Sequence, residues 1–257
     1  MTDYEHTPVT VEGKRAVVIG GTSGIGRAIA RGFAADGADV VATSRSADRV
    51  AETAAELREL GAETVEETCD VTERETIETL RDAVVDALGG VDVLVNSQSY
   101  VARSSLADGD EAEWRRVFDV QLDGTYRATR VFAERMDEGS ILNVSSISND
   151  LAIPDLVPYT AAKGGIDSFT RVAAKELGPE IRVNAVKPGF VRSEQTQGTY
   201  DEGTPRHEEI ARRTTTGRLA DPEEIVGAAI YLASDAASYT TGSVLRVDDG
   251  FTADAFG

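Results

Sequence analysis

Residues 17–26 read VVIGGTSGIG, a short apolar run that ends in glycines and opens into the helical pattern GRAIARGFAADG. Gly20, Gly24 and Gly26 therefore stand after a strand and at the mouth of a helix. Glycine permits a tight turn and close backbone approach, and a helix N-terminus offers unpaired N–H groups to a pyrophosphate. The spacing is G-x-x-x-G-x-G, not the commoner G-x-G-x-x-G. A glycine loop alone says little. Between a strand and a helix, at the start of the sheet, it predicts a dinucleotide site built from Gly20, Thr22, Ser23, Gly24, Ile25 and Gly26.

Outward from this loop, strand-like runs alternate with helical patterns. RAVVIGG, ADVVATSR, AETVEETCD, VDVLVNS, SILNVSS, IRVNAVKPG and GSVLRVDDG are the strand candidates. Helices are expected between them, including one from about Glu111 to Arg135 and one from about Tyr159 to Glu176. Asp221 before Pro222, with Glu224 beyond, reads as a helix start. Such alternation predicts an α/β fold, a Rossmann-type doubly wound and mainly parallel seven-stranded sheet with helices on both faces. No repeat or linker interrupts it, so residues 1–257 are read as one domain. About 1–12 would be an N-terminal extension and about 192–217 a polar substrate loop.

Composition narrows the partners. Asp and Glu number 45 against 26 Lys and Arg, a formal charge of −19, and only four of the basic residues are lysines. Acids spread along the whole chain would repel nucleic acid and anionic membranes, so neither is expected as a partner. An acidic surface of this kind also fits a halophilic protein, because salt screens self-repulsion. No apolar run approaches the roughly 20 residues of a membrane span, and the N-terminus shows no secretory pattern. Cys69 is the sole cysteine and reads as a small apolar residue of the third strand. A cytoplasmic location is expected. His6 and His207 are the only histidines and lie in no ligand-like cluster, so no metal site is expected.

The second strand ends VVATSRS. An acidic residue there would favour NAD, whereas a nearby arginine accommodates the 2′-phosphate of NADP. Ser44 occupies the acidic position and Arg45 and Ser46 follow it, which predicts NADP(H). Further on, SSISNDLAIPDLVPYTAAKGG places Tyr159 and Lys163 four apart on a helix face, with Ser146 thirteen residues before the tyrosine. A tyrosine near pKa 10 needs its phenolate stabilised to act near neutrality, and a lysine one turn away would do so.

With these motifs the chain resembles the classical short-chain dehydrogenase/reductases over nearly its whole length. The resemblance implies hydride transfer between a nicotinamide and a carbonyl or secondary alcohol, with Ser146, Tyr159 and Lys163 catalytic. It also implies cofactor contacts from Asp70 and Val71 near the adenine, from Asn96, from Tyr159 and Lys163, and from Pro188, Gly189, Val191 and Ser193 near the carboxamide. A homotetramer is implied as well. Three positions depart from the family pattern. Ile19 stands in place of a threonine, NSQS at 96–99 in place of Asn-Asn-Ala-Gly, and Gln121 in place of the asparagine that binds a proton-relaying water. These are read as one local repacking, with Gln121 a fourth catalytic candidate in an altered relay. The polar residues Asn149, Asp150 and Asp155 suggest a small hydroxylated substrate such as a sugar, sugar acid or polyol. The alternatives are a 3-oxoacyl thioester reductase and a catalytically weakened NADP(H)-binding sensor or oligomer partner.

Overall fold

The structure is a computed structural model that describes residues 6–103, 105–193, 198 and 200–253. Six strands form one sheet: β1 (Arg15–Ile19), β2 (Asp39–Thr43), β3 (Val93–Asn96), β4 (Gly139–Val144), β5 (Ile181–Pro188) and β6 (Val244–Val247). All pairings are parallel, in the order β2-β1-β3-β4-β5-β6. Strands buried on both faces read as continuous apolar runs, which is why VVI and VLV carry no polar alternation. The chain winds outward from β1 in one direction to β2 and in the other to β3, so a crevice opens at the carboxyl ends of β1 and β3.

Helices cover both faces. On one side α1 (Gly24–Ala35) and α8 (Val226–Ala233) bury Ile29, Phe33 and Leu232 against Val18, Val40 and Val95. On the other, α3 (Arg74–Leu88), α5 (Gly124–Ala133) and α6 (Val157–Glu176) bury Ile77, Leu80, Phe132 and Ala173 against Val17, Leu94 and Ile141. The remaining helices are α2 (Ala47–Glu59), α4 (Glu111–Phe118) and α7 (Pro205–Arg213).

The doubly wound parallel sheet stands as expected, with six strands among the described residues in place of seven. The segment AETVEETCD runs beside β2 without forming a ladder. The Val40 N–H donates to the Glu63 carbonyl (3.1 Å) and the Cys69 N–H to the Ser44 carbonyl (3.0 Å). Between them the Thr43 hydroxyl donates to the Glu67 carbonyl (2.6 Å). Cys69 is thus a buried residue of an irregular segment, and burial pushes its thiol pKa up to about 11.

The helix expected from about Glu111 to Arg135 is also divided. Between α4 and α5 lies a π-helical turn, Asp119–Asp123, which carries Gln121. Gly124, which follows it, packs closely on Val71, where a Cβ would collide with the valine side chain. The wide turn is held by the Thr125 hydroxyl, which donates to the Gln121 carbonyl (2.7 Å). Such turns inside helices recur at functional sites.

In the polar loop, residues 194–197 and 199 lie outside the described residues, and so do 1–5 of the expected N-terminal extension. The rest of the loop contains α7, capped by the Thr204 hydroxyl accepting from the His207 N–H (3.1 Å). Ile210 of α7 is buried with Ile147, Leu219 and Phe251, which docks the helix at the crevice. Asp221 does start a helix: its N–H donates to Glu224 (2.9 Å), through a 3-10 turn that leads into α8. No described helix is long and apolar enough to cross a membrane.

Phe33 is fully buried between α1 and the sheet. Phe33→Ala is expected to cost about 3–5 kcal/mol in urea unfolding, the transfer and cavity terms together. A loss under about 1 kcal/mol would contradict this account of the core.

Candidate active site

A cleft of about 950 Å³ follows the carboxyl ends of β1 to β5. Its floor is the glycine loop. Gly20 holds a positive φ of 75°, and a Cβ there would strike the Ser97 carbonyl; a Cβ on Gly26 would strike the carbonyl of Gly20. Ser23, the N-cap of α1, makes no side-chain cap bond, so it does not occupy the first-turn N–H groups. Thr22, Ser23, Gly24 and Ile25 line the cleft beside them. This is a concave anion cradle at a helix N-terminus, and it fits a dinucleotide pyrophosphate.

At one end the Thr22 hydroxyl donates to Ser44 Oγ (2.8 Å), and the Ser46 N–H donates to the same oxygen (3.4 Å). Arg45 is exposed beside them, and Arg49, one helical turn on, also lines the cleft. Arg49 was missed in the sequence, although its four-residue spacing from Arg45 was a signal. Asp70 and Val71 line the same end, and Asp70 Oδ1 accepts from the Thr72 N–H (3.0 Å) and hydroxyl (2.8 Å). Across the cleft stand Pro188, Gly189, Val191 and Ser193. Their strand end is fixed by the Gly189 N–H on the Val247 carbonyl (2.9 Å) and by a bridge from Val191 to Ala220.

Ser146, Tyr159 and Lys163 meet at the middle of the cleft. Ser146 follows β4 and caps a 3-10 turn, its Oγ accepting from the Ser148 N–H (3.1 Å). Pro158 in the first turn of α6 fixes the entry of the helix that carries the other two. Lys163 is 3% exposed, and its Nζ donates to the Val144 carbonyl (2.7 Å) and lies 5.6 Å from the Tyr159 ring centre. Burial pulls the Lys163 ammonium down to a pKa of about 7, against the opposing charge of Asp167. Burial raises the Tyr159 phenol above its ordinary value, and the hydrogen bond with Ser146 works in the opposite sense. Desolvation thus moves both groups from their ordinary values, the ammonium down and the phenol up.

Two expected site residues do not face the cleft. Asn96 is 3% exposed and turned into the sheet, where its Nδ2 donates to Asn143 Oδ1 (2.9 Å) and to the Thr129 hydroxyl (3.3 Å). Its neighbours Ser97, Gln98 and Ser99 line the cleft in its place. Gln121 is fully buried on the π-turn, its Nε2 donating to the Tyr100 carbonyl (3.1 Å). Its Oε1 is buried without a protein partner among the described residues.

The three departures do adjoin one another. Ile19 pairs in register with Asn96, and the Ser97 N–H donates to the Ile19 carbonyl (2.9 Å). Gln98 Nε2 donates to the Thr125 hydroxyl (2.9 Å), which itself holds the Gln121 carbonyl.

The substrate wall also corrects an expectation. Asn149 and Asp150 turn away from the cleft, Asn149 Nδ2 donating to Asp167 (2.7 Å) and Asp150 pairing with Lys187 (3.0 Å). Asp155 sits at a positive φ of 62° in the turn before α6 and is not part of the wall. The wall is instead Ile147, Ser148, Ile153, Leu156, Phe190 and Tyr200. Among the described residues no group of three metal-ligating side chains gathers.

Comparison with known proteins agrees with this geometry. Residues 20–252 match a family model described as Enoyl-(Acyl carrier protein) reductase. Galactitol 2-dehydrogenase (L-tagatose-forming) of Cereibacter sphaeroides is 38% identical over 256 residues, 97% of this chain and 99% of that protein. The 3-oxoacyl-[acyl-carrier-protein] reductase of Thermotoga maritima is 35% identical over 244 residues, 93% of this chain and 98% of that protein. The crystal structure of a gluconate 5-dehydrogenase from Burkholderia cenocepacia J2315, in complex with NADP and tartrate, superposes with a TM-score of 0.91. It is 30% identical, over 96% of this chain and 98% of that one. The chain belongs to the short-chain dehydrogenase/reductase family. As a member of that family it is an oxidoreductase of alcohols and carbonyls.

In this short-chain dehydrogenase/reductase, Gln121→Asn shortens the amide that holds Tyr100. The expected result is a stability loss of about 1–3 kcal/mol, as a buried carbonyl loses its donor. Because Gln121 does not line the cleft, kcat is expected to stay within about tenfold, less than the loss of a general acid–base group. Thermal unfolding and steady-state kinetics check both, and a kcat loss beyond about 10³-fold would restore Gln121 to the chemistry.

Proposed function

We propose that the protein is a single-domain, NADP(H)-dependent enzyme that interconverts a secondary alcohol and a ketone on a small hydroxylated substrate. The observation that carries this reading is the convergence of Ser146, Tyr159 and Lys163 on a cleft whose floor is a glycine cradle for phosphate. The bound cofactor would supply or accept a hydride at its nicotinamide ring.

The chain's own residues do the rest. In reduction, the Ser146 hydroxyl orients the carbonyl oxygen and stabilises its growing charge. The Tyr159 hydroxyl gives that oxygen a proton, and the Lys163 ammonium stabilises the phenolate left behind. Arg45 and Arg49, with Ser44 and Ser46, would hold a 2′-phosphate. Asp70 and Val71 would border the adenine, and the segment from Pro188 to Ser193 would hold the carboxamide. NADP in the Burkholderia structure supports the choice of cofactor.

A hydroxylated substrate is supported by the Ser148 hydroxyl, which is buried without a protein partner, and by Arg103 at the cleft. The names of the galactitol and gluconate relatives point the same way. A second reading, reduction of a 3-oxoacyl thioester, is favoured by the apolar wall of Ile147, Ile153, Leu156 and Phe190 and by the Thermotoga relative. The exposed Trp114, Tyr126 and Val172 on α4, α5 and α6 support assembly into a homotetramer. The acidic composition supports a salt-rich working environment.

The test is turnover of NADPH and NADH on ketoses, sugar acids and 3-oxoacyl thioesters in molar KCl. Faster turnover with NADPH is expected, with a loss of at least about 10²-fold in Tyr159→Phe. Firm NADPH binding without turnover across the panel would favour a sensor, and a preference for NADH would overturn the cofactor. The pH response has a definite sign. Reduction needs protonated Tyr159, so its kcat/KM is expected to fall as pH rises, whereas alcohol oxidation needs the phenolate and is expected to rise from the acid side. The same direction for both reactions would contradict these roles.

A further inference from the structure

Behind the catalytic residues lies a buried charge cluster that the reaction as described does not use. Lys187, at the end of β5, is 5% exposed, and Asp167, one turn past Lys163 on α6, is 7% exposed. Lys187 Nζ lies 2.7 Å from Asp167 Oδ2 and 3.0 Å from Asp150 Oδ1. The Ser145 hydroxyl donates to Asp167 Oδ1 (2.5 Å), and Asn149 Nδ2 donates to Oδ2 (2.7 Å). Arg246 reaches Asp150 from the surface (3.1 Å). The cluster joins the three segments of the site: Ser145 and Asn149 flank Ser146 and Ser148, Asp167 continues the helix of Tyr159 and Lys163, and Lys187 precedes Pro188 and Gly189.

Buried ion pairs contribute little net stability relative to apolar packing, so the cluster asks for another role. We propose that Asp167 is a positioning residue: its carboxylate, fixed by Ser145, Asn149 and Lys187, keeps the neighbouring Lys163 side chain in its charged form. The inference deepens the proposed reaction and rests on it for its consequence, though not for its physics. Lys163 is buried and its only hydrogen bond among the described residues is to the Val144 carbonyl, so desolvation works against its charge. Asp167 is the charge that opposes this effect, and with it the lysine stands at about 7. Without it, nothing on this side would oppose the desolvation, and the charged form of Lys163 that stabilises the Tyr159 phenolate would be weakened further.

The other groups on elements packed here are Tyr159 on α6 itself, Lys187 on β5, Asp150 in the turn after Ser146, and Tyr200 across the cleft. The π-turn contributes neutral Gln121, and its Asp119 is paired with Arg127 (2.7 Å). Lys187 holds the Asp167 carboxylate in place (2.7 Å) and is itself shared with Asp150 (3.0 Å).

With four lysines in the chain, [13Cε]-lysine NMR resolves each titration, and Lys163→Arg assigns the signal. In the cofactor-free protein the Lys163 midpoint is expected near 7. It is expected to move down by about one unit or more in Asp167→Asn, the scale of a lost opposite charge at close range. Asp167→Glu is expected to return it most of the way. Because Asp167→Asn leaves the Lys187 charge buried with one partner fewer, the double variant Asp167→Asn/Lys187→Gln is titrated beside it, with the same downward move expected.

The kinetic consequence is read in carbonyl reduction, whose active state carries protons on both Tyr159 and Lys163. Removing a negative charge weakens that state, so the pH at which kcat/KM falls is expected to drop with the NMR midpoint. A merely structural role would lower kcat without moving either midpoint, and an unmoved Lys163 titration in both variants overturns the proposal. A moved titration in a protein that turns over no substrate would sink the proposed reaction and leave the pairing of Asp167 and Lys163 standing.

Discussion

The site depends on one costly arrangement, a lysine ammonium buried at the end of a parallel sheet. Lys163 has exchanged water for the Val144 carbonyl, and its pKa has fallen to about 7 as a result. That loss makes the residue useful, because an ammonium in a low-dielectric site acts more strongly on a neighbouring phenol than it would in water. The sheet makes the burial tolerable. β4 ends at Val144 with its carbonyl directed at the lysine, β5 carries the segment opposite, and α6 holds Tyr159 one turn away. The three elements together bring Ser146, Tyr159 and Lys163 to one part of the cleft.

The charge of the whole molecule works with this local design. A chain of formal charge −19 would be expected to repel a phosphorylated cofactor. The cleft reverses the sign locally: Arg45, Arg49, Arg103 and Lys163 line it, against Asp70 as the acidic residue. Basic side chains gathered at a cleft of a chain with net negative charge would favour an anionic ligand there.

Much of this was legible in the sequence because it rests on short spacings. The glycines at 20, 24 and 26 and the Tyr159–Lys163 pair are local patterns, and each sits on the element its spacing implies. What escaped was decided by tertiary contacts. The π-turn at 119–123 is followed by Gly124, which packs closely on Val71, a residue far away in the chain. The segment ending in Cys69 has the composition of a strand, yet it meets β2 through only scattered bonds, from Val40 to Glu63, Thr43 to Glu67 and Cys69 to Ser44. Asn149 and Asp150 read as a polar substrate wall until Asp167 and Lys187 are seen to claim them. Lys187 itself carries no local signal, since its partners come from another helix and another turn.

The central proposal, that Tyr159 and Lys163 form one electrostatic couple that would respond to the charge of a bound nicotinamide, is tested most directly by calorimetry. Binding of NADP⁺ and of NADPH would be titrated near pH 7 in buffers of different ionisation enthalpy, which counts the protons released. A cationic ring over the couple lowers its pKa values, so NADP⁺ is expected to release more protons than NADPH, and the difference is expected to shrink in Tyr159→Phe. Equal proton counts for the two forms, unaffected by that substitution, would contradict the account.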